Sequence, residues 1–138
     1  MTPEQIDLVR SSYAALGDAA AVMARDFYRR LFEAYPTVEQ LFDADPETMA
    51  GKFSDELAAI VEAIVSFAVF APRVRDLAAR HVAYGVQTRH YRLVGDALIG
   101  ALAAHLAPQW DEALEAAWRN AYNLVAEVMM AASATNVS

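Results

Sequence analysis

Apolar residues recur along this chain three and four positions apart and nowhere in strict alternation, so the pattern predicts helices and no strands. Thr2-Pro3-Glu4-Gln5 reads as an N-cap, a proline at the first helical position and a capping-box glutamine. The helix they open places Ile6, Val9, Tyr13 and Leu16 on one face, and Gly17 with Asp18 ends it. A second helix repeats Ala20, Met23, Ala24, Phe27 and Leu31 and stops before Pro36. A short helix over 37–42 and a turn-rich connection over 43–46 follow. A third, long helix is predicted from about 47 to 70, with Phe53, Leu57, Ile60, Val61, Ile64 and Phe67 as its stripe and Pro72 at its far end.

A shorter helix from about Arg73 delivers His81 in its last turn, and Gly85 ends it. Thr88 starts another long helix, striped with Val94, Ala97, Leu98, Ala101 and Leu102 and closed by Pro108. The last helix buries Leu114, Trp118, Ala121, Tyr122, Val125, Val128 and Met129, and the tail over 133–138 is expected to fray. With no repeat and no linker, residues 1–138 read as a single all-α domain of about six to eight helices.

Composition narrows the function. A length of 138 residues with 57% hydrophobic content suits one domain with a real core. A net charge of −7 argues against nucleic acid and against anionic membrane as partners. The chain has no cysteine, which excludes disulfides, thiolate chemistry and zinc–thiolate sites and leaves the redox compartment open. The first residues carry neither a basic region nor an apolar run, so no signal peptide is expected. The apolar stretch over 57–72 contains Glu62 and is too short for a membrane span. A soluble, cytoplasmic protein is the expectation.

The most informative chemistry lies at the corner between two helices. His81 ends one, and Tyr91 stands on the first turn of the next. Such a corner can aim an imidazole into a cavity and give its other nitrogen a fixed partner, which a metal-ligating histidine needs. The plainer alternative is a packed or surface histidine.

A wider set of residues gives the corner a context. Phe27-Tyr28 is followed by Leu31-Phe32, Tyr35-Pro36-Thr37-Val38, Leu41-Phe42 and Lys52-Phe53. Then come His81 with Tyr84-Gly85-Val86, His90-Tyr91 with Val94-Gly95, and Ala117-Trp118 with Ala121-Tyr122. In this order and spacing the set resembles bacterial single-domain globins and the haem domain of flavohaemoglobins, over almost the whole chain. The resemblance implies a globin fold around a haem pocket, with His81 as proximal iron ligand and the sixth iron position open to a gas. Attachment of haem c needs cysteine, so the cofactor expected is non-covalent haem b.

Several further roles are implied by the same resemblance. The Tyr91 hydroxyl would bond the proximal imidazole or its support, fixing the ring and raising its basicity. Tyr28 would be the distal tyrosine, donating to bound dioxygen in a dry pocket where such a bond counts for more than in water. Phe42 would pack flat on the porphyrin, and Tyr84, Val86, Val94 and Leu98 would line the haem. Tyr28, Tyr91 and Phe42 could each instead be ordinary core aromatics.

Two departures stand out. Met49 occupies the distal position where relatives often carry glutamine, and methionine cannot donate a hydrogen bond. Either Tyr28 is then the sole donor, or the Met49 thioether is a sixth iron ligand, which would raise the reduction potential. Methionine more often fills gaps than ligates. One turn on, Phe53 would lean over the distal face and restrict access. The lone lysine, Lys52, would reach a haem propionate or simply be solvated. The second departure is Ser133, which stands where flavohaemoglobins use a glutamate near the end of the last helix. Glu127 is the nearest carboxylate but falls on another helix face. His90 is expected at the surface of the corner, and neither His90 nor His105 is required by the site.

The leading expectation is a haem protein that reversibly binds dioxygen, nitric oxide and carbon monoxide. An enzymatic alternative is nitric oxide dioxygenation with a separate reductase, or weak peroxidase activity. A third is a six-coordinate His81/Met49 redox or gas sensor, and a helical scaffold without haem is the fourth. A monomer and a homodimer are equally compatible with the sequence.

Overall fold

The computed structural model describes residues 1–42, 45–83 and 88–137, with the side chains of all but 82, 83, 88 and 133–137. Helix α1, Pro3–Leu16, opens on the predicted capping box. The Thr2 hydroxyl accepts from the Gln5 backbone N–H at 3.1 Å, and the Gln5 side chain accepts from the Thr2 N–H at 3.2 Å. Gly17, with φ of +52°, ends α1 in a conformation that a side chain disfavours. Next come α2, Ala19–Ala34, and a 3₁₀ turn, Pro36–Leu41. Helix α3, Pro46–Ala63, is capped by Asp45, whose carboxylate accepts from the Thr48 N–H at 3.0 Å. Helices α4, Phe67–Ala83, α5, Thr88–Leu106, and α6, Glu112–Val137, complete the chain. The described residues contain no strand, and no helix among them is long and apolar enough to cross a membrane.

The long helix expected over 47–70 is two helices. It breaks at 64–66, and Pro72 lies inside α4 rather than at a boundary. Ser66 explains the break. Its carbonyl accepts from the N–H groups of Val69 at 3.0 Å and Phe70 at 2.9 Å, which makes it the cap of α4. Serine favours that position, and the β-branched pair Ile64-Val65 before it is a weak helix former. Pro72 falls in the second turn of α4, where its missing N–H removes one helical bond. At the other end, α6 continues as helix through 137, into the segment expected to fray.

Helix α2 packs against both α3 and α5, while α6 packs against α4 and α1. Met23, Phe27 and Leu31 of α2 meet Leu98, Ala101 and Leu102 of α5 and Phe70, Val74 and Ala78 of α4 in one core cluster. Trp118 Nε1 donates to the Ser12 hydroxyl at 2.9 Å, and that hydroxyl donates to the Val9 carbonyl at 3.1 Å. The Tyr13 hydroxyl donates to the Ser54 carbonyl at 2.7 Å and so ties α1 to α3 beside Phe53.

Gly95 sets the contact between α5 and α6. A Cβ there would lie 2.7 Å from the ring of Tyr122, so the two helices close only without a side chain. The Tyr122 hydroxyl then donates to the Tyr91 carbonyl in the first turn of α5. Gly95→Ala is expected to destabilise the fold by about 1–3 kcal/mol through this clash. Urea denaturation of the two proteins checks it, and an unchanged midpoint would show that the Tyr122 ring can step aside.

Candidate functional site

Three elements bring the distal candidates together: α2, the 3₁₀ turn and α3. Phe27 and Phe53 stack with ring centroids 4.4 Å apart and 17° between planes. Tyr28 meets Phe27 at 4.9 Å, Phe42 at 5.6 Å, Phe53 at 5.7 Å and Phe32 at 5.8 Å. The Phe42 and Phe53 contacts are edge-on, the geometry that ring quadrupoles favour. Burial pushes the Tyr28 hydroxyl up to about 12, so it stays protonated through the physiological range. That hydroxyl makes no hydrogen bond among the described residues. Met49 is 8% exposed and brings no donor, while Lys52 is exposed and forms no ion pair among the described residues.

Helix α4 presents the proximal candidate. His81 is half-buried, and its Nδ1 lies 2.9 Å from the Leu77 carbonyl oxygen one turn earlier. A carbonyl can only accept, so Nδ1 carries the proton and Nε2 is left with its lone pair. Burial lowers the His81 pKa below its usual value, while the Leu77 bond works the other way. Arg80 lowers it further, and Glu56 on α3 opposes Arg80. A neutral imidazole of fixed tautomer with a bare Nε2 is the form in which histidine binds a metal.

The sequence suggested the Tyr91 hydroxyl as a partner for that imidazole or for its support, and the acceptor at Nδ1 is the Leu77 carbonyl. Tyr91 is half-buried against the core, and its own carbonyl receives the Tyr122 hydroxyl. Val94 is half-buried and Leu98 is 4% exposed on the same helix. Tyr84 and Val86, expected to line the haem, lie outside the described residues. The Ser133 side chain does too. Glu127 is exposed, on the rim of a groove of about 890 Å³ between α4 and α6 that also contains Pro72, Arg75, Ala79 and Val128. No site candidate lines that groove.

One of the other two histidines departs from expectation. His90, expected at the surface, is 7% exposed, because it falls on the inner face of α5's first turn. Burial and the neighbouring Arg89 lower its pKa. His105, which the site does not require, takes part in a polar cluster. Its Nε2 lies 3.2 Å from Asp26, which also binds Arg30 at 2.9 Å and Arg29. Partial burial would raise the Asp26 pKa, but the hydrogen bonds from Arg30 and Arg29 outweigh it and hold the carboxyl below its usual range. The cluster ties the end of α5 to α2 two residues before Tyr28. Sequence reading missed it, because Asp26 and His105 are 79 positions apart. The Leu77 carbonyl was equally invisible, since every helical residue has one.

Residues 25–129 match the sequence profile of the globin family, and the chain belongs to it. Flavohemoproteins of Vibrio cholerae and Deinococcus radiodurans are 26% and 32% identical to it over 94% of this chain. The chain spans about a third of the length of these curated relatives, 34% and 33%. Among solved structures, a bacterial globin from Campylobacter jejuni superposes with a TM-score of 0.87 at 26% identity, covering 99% of both chains. An engineered carbene transferase derived from a Rhodothermus marinus protein, provisionally assigned as a nitric oxide dioxygenase, gives 0.89 at 31% identity, covering 99% of this chain and 96% of its own.

The depressed pKa values of His81 and His90 have a consequence for the haem-free chain. Unfolded histidine takes up a proton near about 6.5, and the folded protein resists doing so until lower pH. The stabilising contribution is therefore present above that pH and lost as pH falls through it. Melting temperature is expected to drop from pH 7.5 to 5.5, and His81→Gln to remove part of that slope. An equal slope in the variant would mean that His81 accepts a proton in place.

Proposed function

We propose that this chain binds haem b and reversibly binds diatomic gases, dioxygen first, with His81 Nε2 as the proximal ligand, and that it does so in the cytoplasm. The observation that carries the reading is the His81–Leu77 hydrogen bond, which leaves one imidazole nitrogen neutral and unprotonated in a half-buried position. Membership of the globin family and similarity to flavohemoproteins support haem as the group it serves. When bound, the haem iron supplies the open position at which a gas sits.

The protein's own residues then divide the work. His81 holds the group from α4, and Val94 and Leu98 with Tyr91 support that side from α5. Phe42, Phe53 and Phe27 exclude water from the distal side. Tyr28 donates its hydroxyl proton to the gas, and with Met49 apolar it is the one donor among these distal residues. Lys52, exposed and without an ion pair among the described residues, is available to a propionate.

A second reading is nitric oxide dioxygenation, in which dioxygen, nitric oxide and one electron from a separate reductase give nitrate. The Rhodothermus marinus neighbour and the unpartnered Tyr28 hydroxyl favour it. Repeated consumption of nitric oxide when electrons are supplied distinguishes it from simple gas carriage.

Absorption spectra of the haem-loaded protein test the main reading. A five-coordinate ferrous spectrum that shifts on adding carbon monoxide is expected, with His81→Ala losing haem retention. Tyr28→Phe removes a hydrogen bond to a partly charged ligand, worth about 1.5–3 kcal/mol, and should speed dioxygen dissociation about 10- to 100-fold. A six-coordinate ferrous spectrum abolished by Met49→Ala would replace gas carriage with redox or gas sensing. No haem uptake at all would end the proposal.

A further inference from the structure

Helices α3 and α4 are joined by the short link at 64–66 and pack against each other. Met49, Phe53 and Glu56 fall on one face of α3, and Arg73, Leu77 and Arg80 fall on one face of α4. Glu56 bridges the gap with both of its oxygens. Oε2 lies 2.9 Å from Arg73 and Oε1 lies 3.1 Å from Arg80, two turns further along α4. Asp76 approaches Arg80 at 3.8 Å from the same helix. The Glu56 side chain is 21% exposed, whereas Asp76 is 80% exposed, so the carboxylate that crosses between the helices is the protected one.

We infer that Glu56 is a positioning residue, a brace across the α3–α4 joint that sets where His81 stands relative to the distal residues on α3. This inference rests on the proposed role of His81. The argument is one of leverage. At 1.5 Å per residue, Arg73 lies roughly 9 Å and Arg80 roughly 20 Å from the start of α4, and His81 follows directly. A change of about 5° at the joint would move His81 by roughly 2 Å. Packing on α6 holds α4 from one side, and a carboxylate fastened at two points along the arm ties it to α3 on the other.

The role is geometric rather than electrostatic. Arg80 and Glu56 act on His81 with opposite signs, Arg80 the more strongly, so no net negative charge reaches the imidazole from this pair. Isolated exposed ion pairs contribute little to stability. This one is shared, partly buried and placed where a small displacement reaches the ligand.

The test compares the full-length wild type with Glu56→Gln and with a charge-reversed variant, Glu56→Arg combined with Arg73→Glu and Arg80→Glu. In the haem-loaded ferrous protein, Glu56→Gln should shift and broaden the iron–histidine stretching band. It should also speed haemin transfer to apomyoglobin about 10-fold, as loss of an outer supporting group does. The reversed variant should restore both toward wild type, which an effect of charge sign on His81 would not allow. In the haem-free protein, Glu56→Gln should raise amide hydrogen exchange along 73–81 about 10-fold while α5 and α6 keep their protection. An unchanged band and unchanged exchange in Glu56→Gln overturn the brace. So does a uniform rise in exchange over all helices, because that reports general loss of stability. If the wild type takes up no haem, the haem reading fails, and exchange in the haem-free chain decides the brace alone.

Discussion

An imidazole stays inside an apolar wall only while it is neutral and its N–H has an acceptor. At position 81 that acceptor is the Leu77 carbonyl, 2.9 Å away. A carbonyl oxygen has two lone pairs, so the same group can serve the helix ladder and the ring. The bond does three things together. It sets the tautomer, fixes the plane of the ring and leaves Nε2 as the free lone pair. In the haem-binding reading proposed above that nitrogen is the iron ligand, so the helix that carries it would have to be held still.

The distal side is built on the opposite principle, with polarity removed until one group remains. Five rings, those of Phe27, Tyr28, Phe32, Phe42 and Phe53, touch in a continuous set of contacts, and Met49 adds apolar volume. Among these residues only Tyr28 offers a proton. In such surroundings a single hydrogen bond to a partly charged ligand would count for more than it does in water. Helix α2, which carries Tyr28, is anchored on the polar side as well. Asp26 holds Arg29, Arg30 and His105, so the end of α5 is tied to the same helix.

Small residues and breaks place the helices. The joint at 64–66 turns one long apolar stripe into two helices, so Met49 and Phe53 stand on one and His81 on the other. Gly95 lets the Tyr122 ring lie against α5, and the Tyr122 hydroxyl reaches the first turn of that helix at Tyr91. Tyr13 does the same for α3 through the Ser54 carbonyl. In each case a tyrosine from one helix ends on a backbone oxygen of another, so position is transmitted through main chain rather than through mobile side chains.

Much of this was written in short-range pattern. The capping box at Thr2 and Gln5, the break at Gly17, the stripes of α2, α5 and α6 and the prominence of His81 follow from residues within a turn or two of one another, where local sterics and capping decide. The same reading ran α3 on to 70, because a continuous apolar stripe outweighed Ser66, and it put His90 at the surface, because a helix's first turn has no inner face until a neighbour packs on it. The partners that complete the site are of another kind. Glu56 meets Arg80 across 24 positions, and Asp26 meets His105 across 79. The sequence by itself determined an all-helical chain with an imidazole and a tyrosine worth watching. Only the packing of α2, α3, α4 and α5 decided which charges meet, which histidines are buried and which carbonyl holds the ring, because those depend on the angles between helices, and no local spacing encodes an angle.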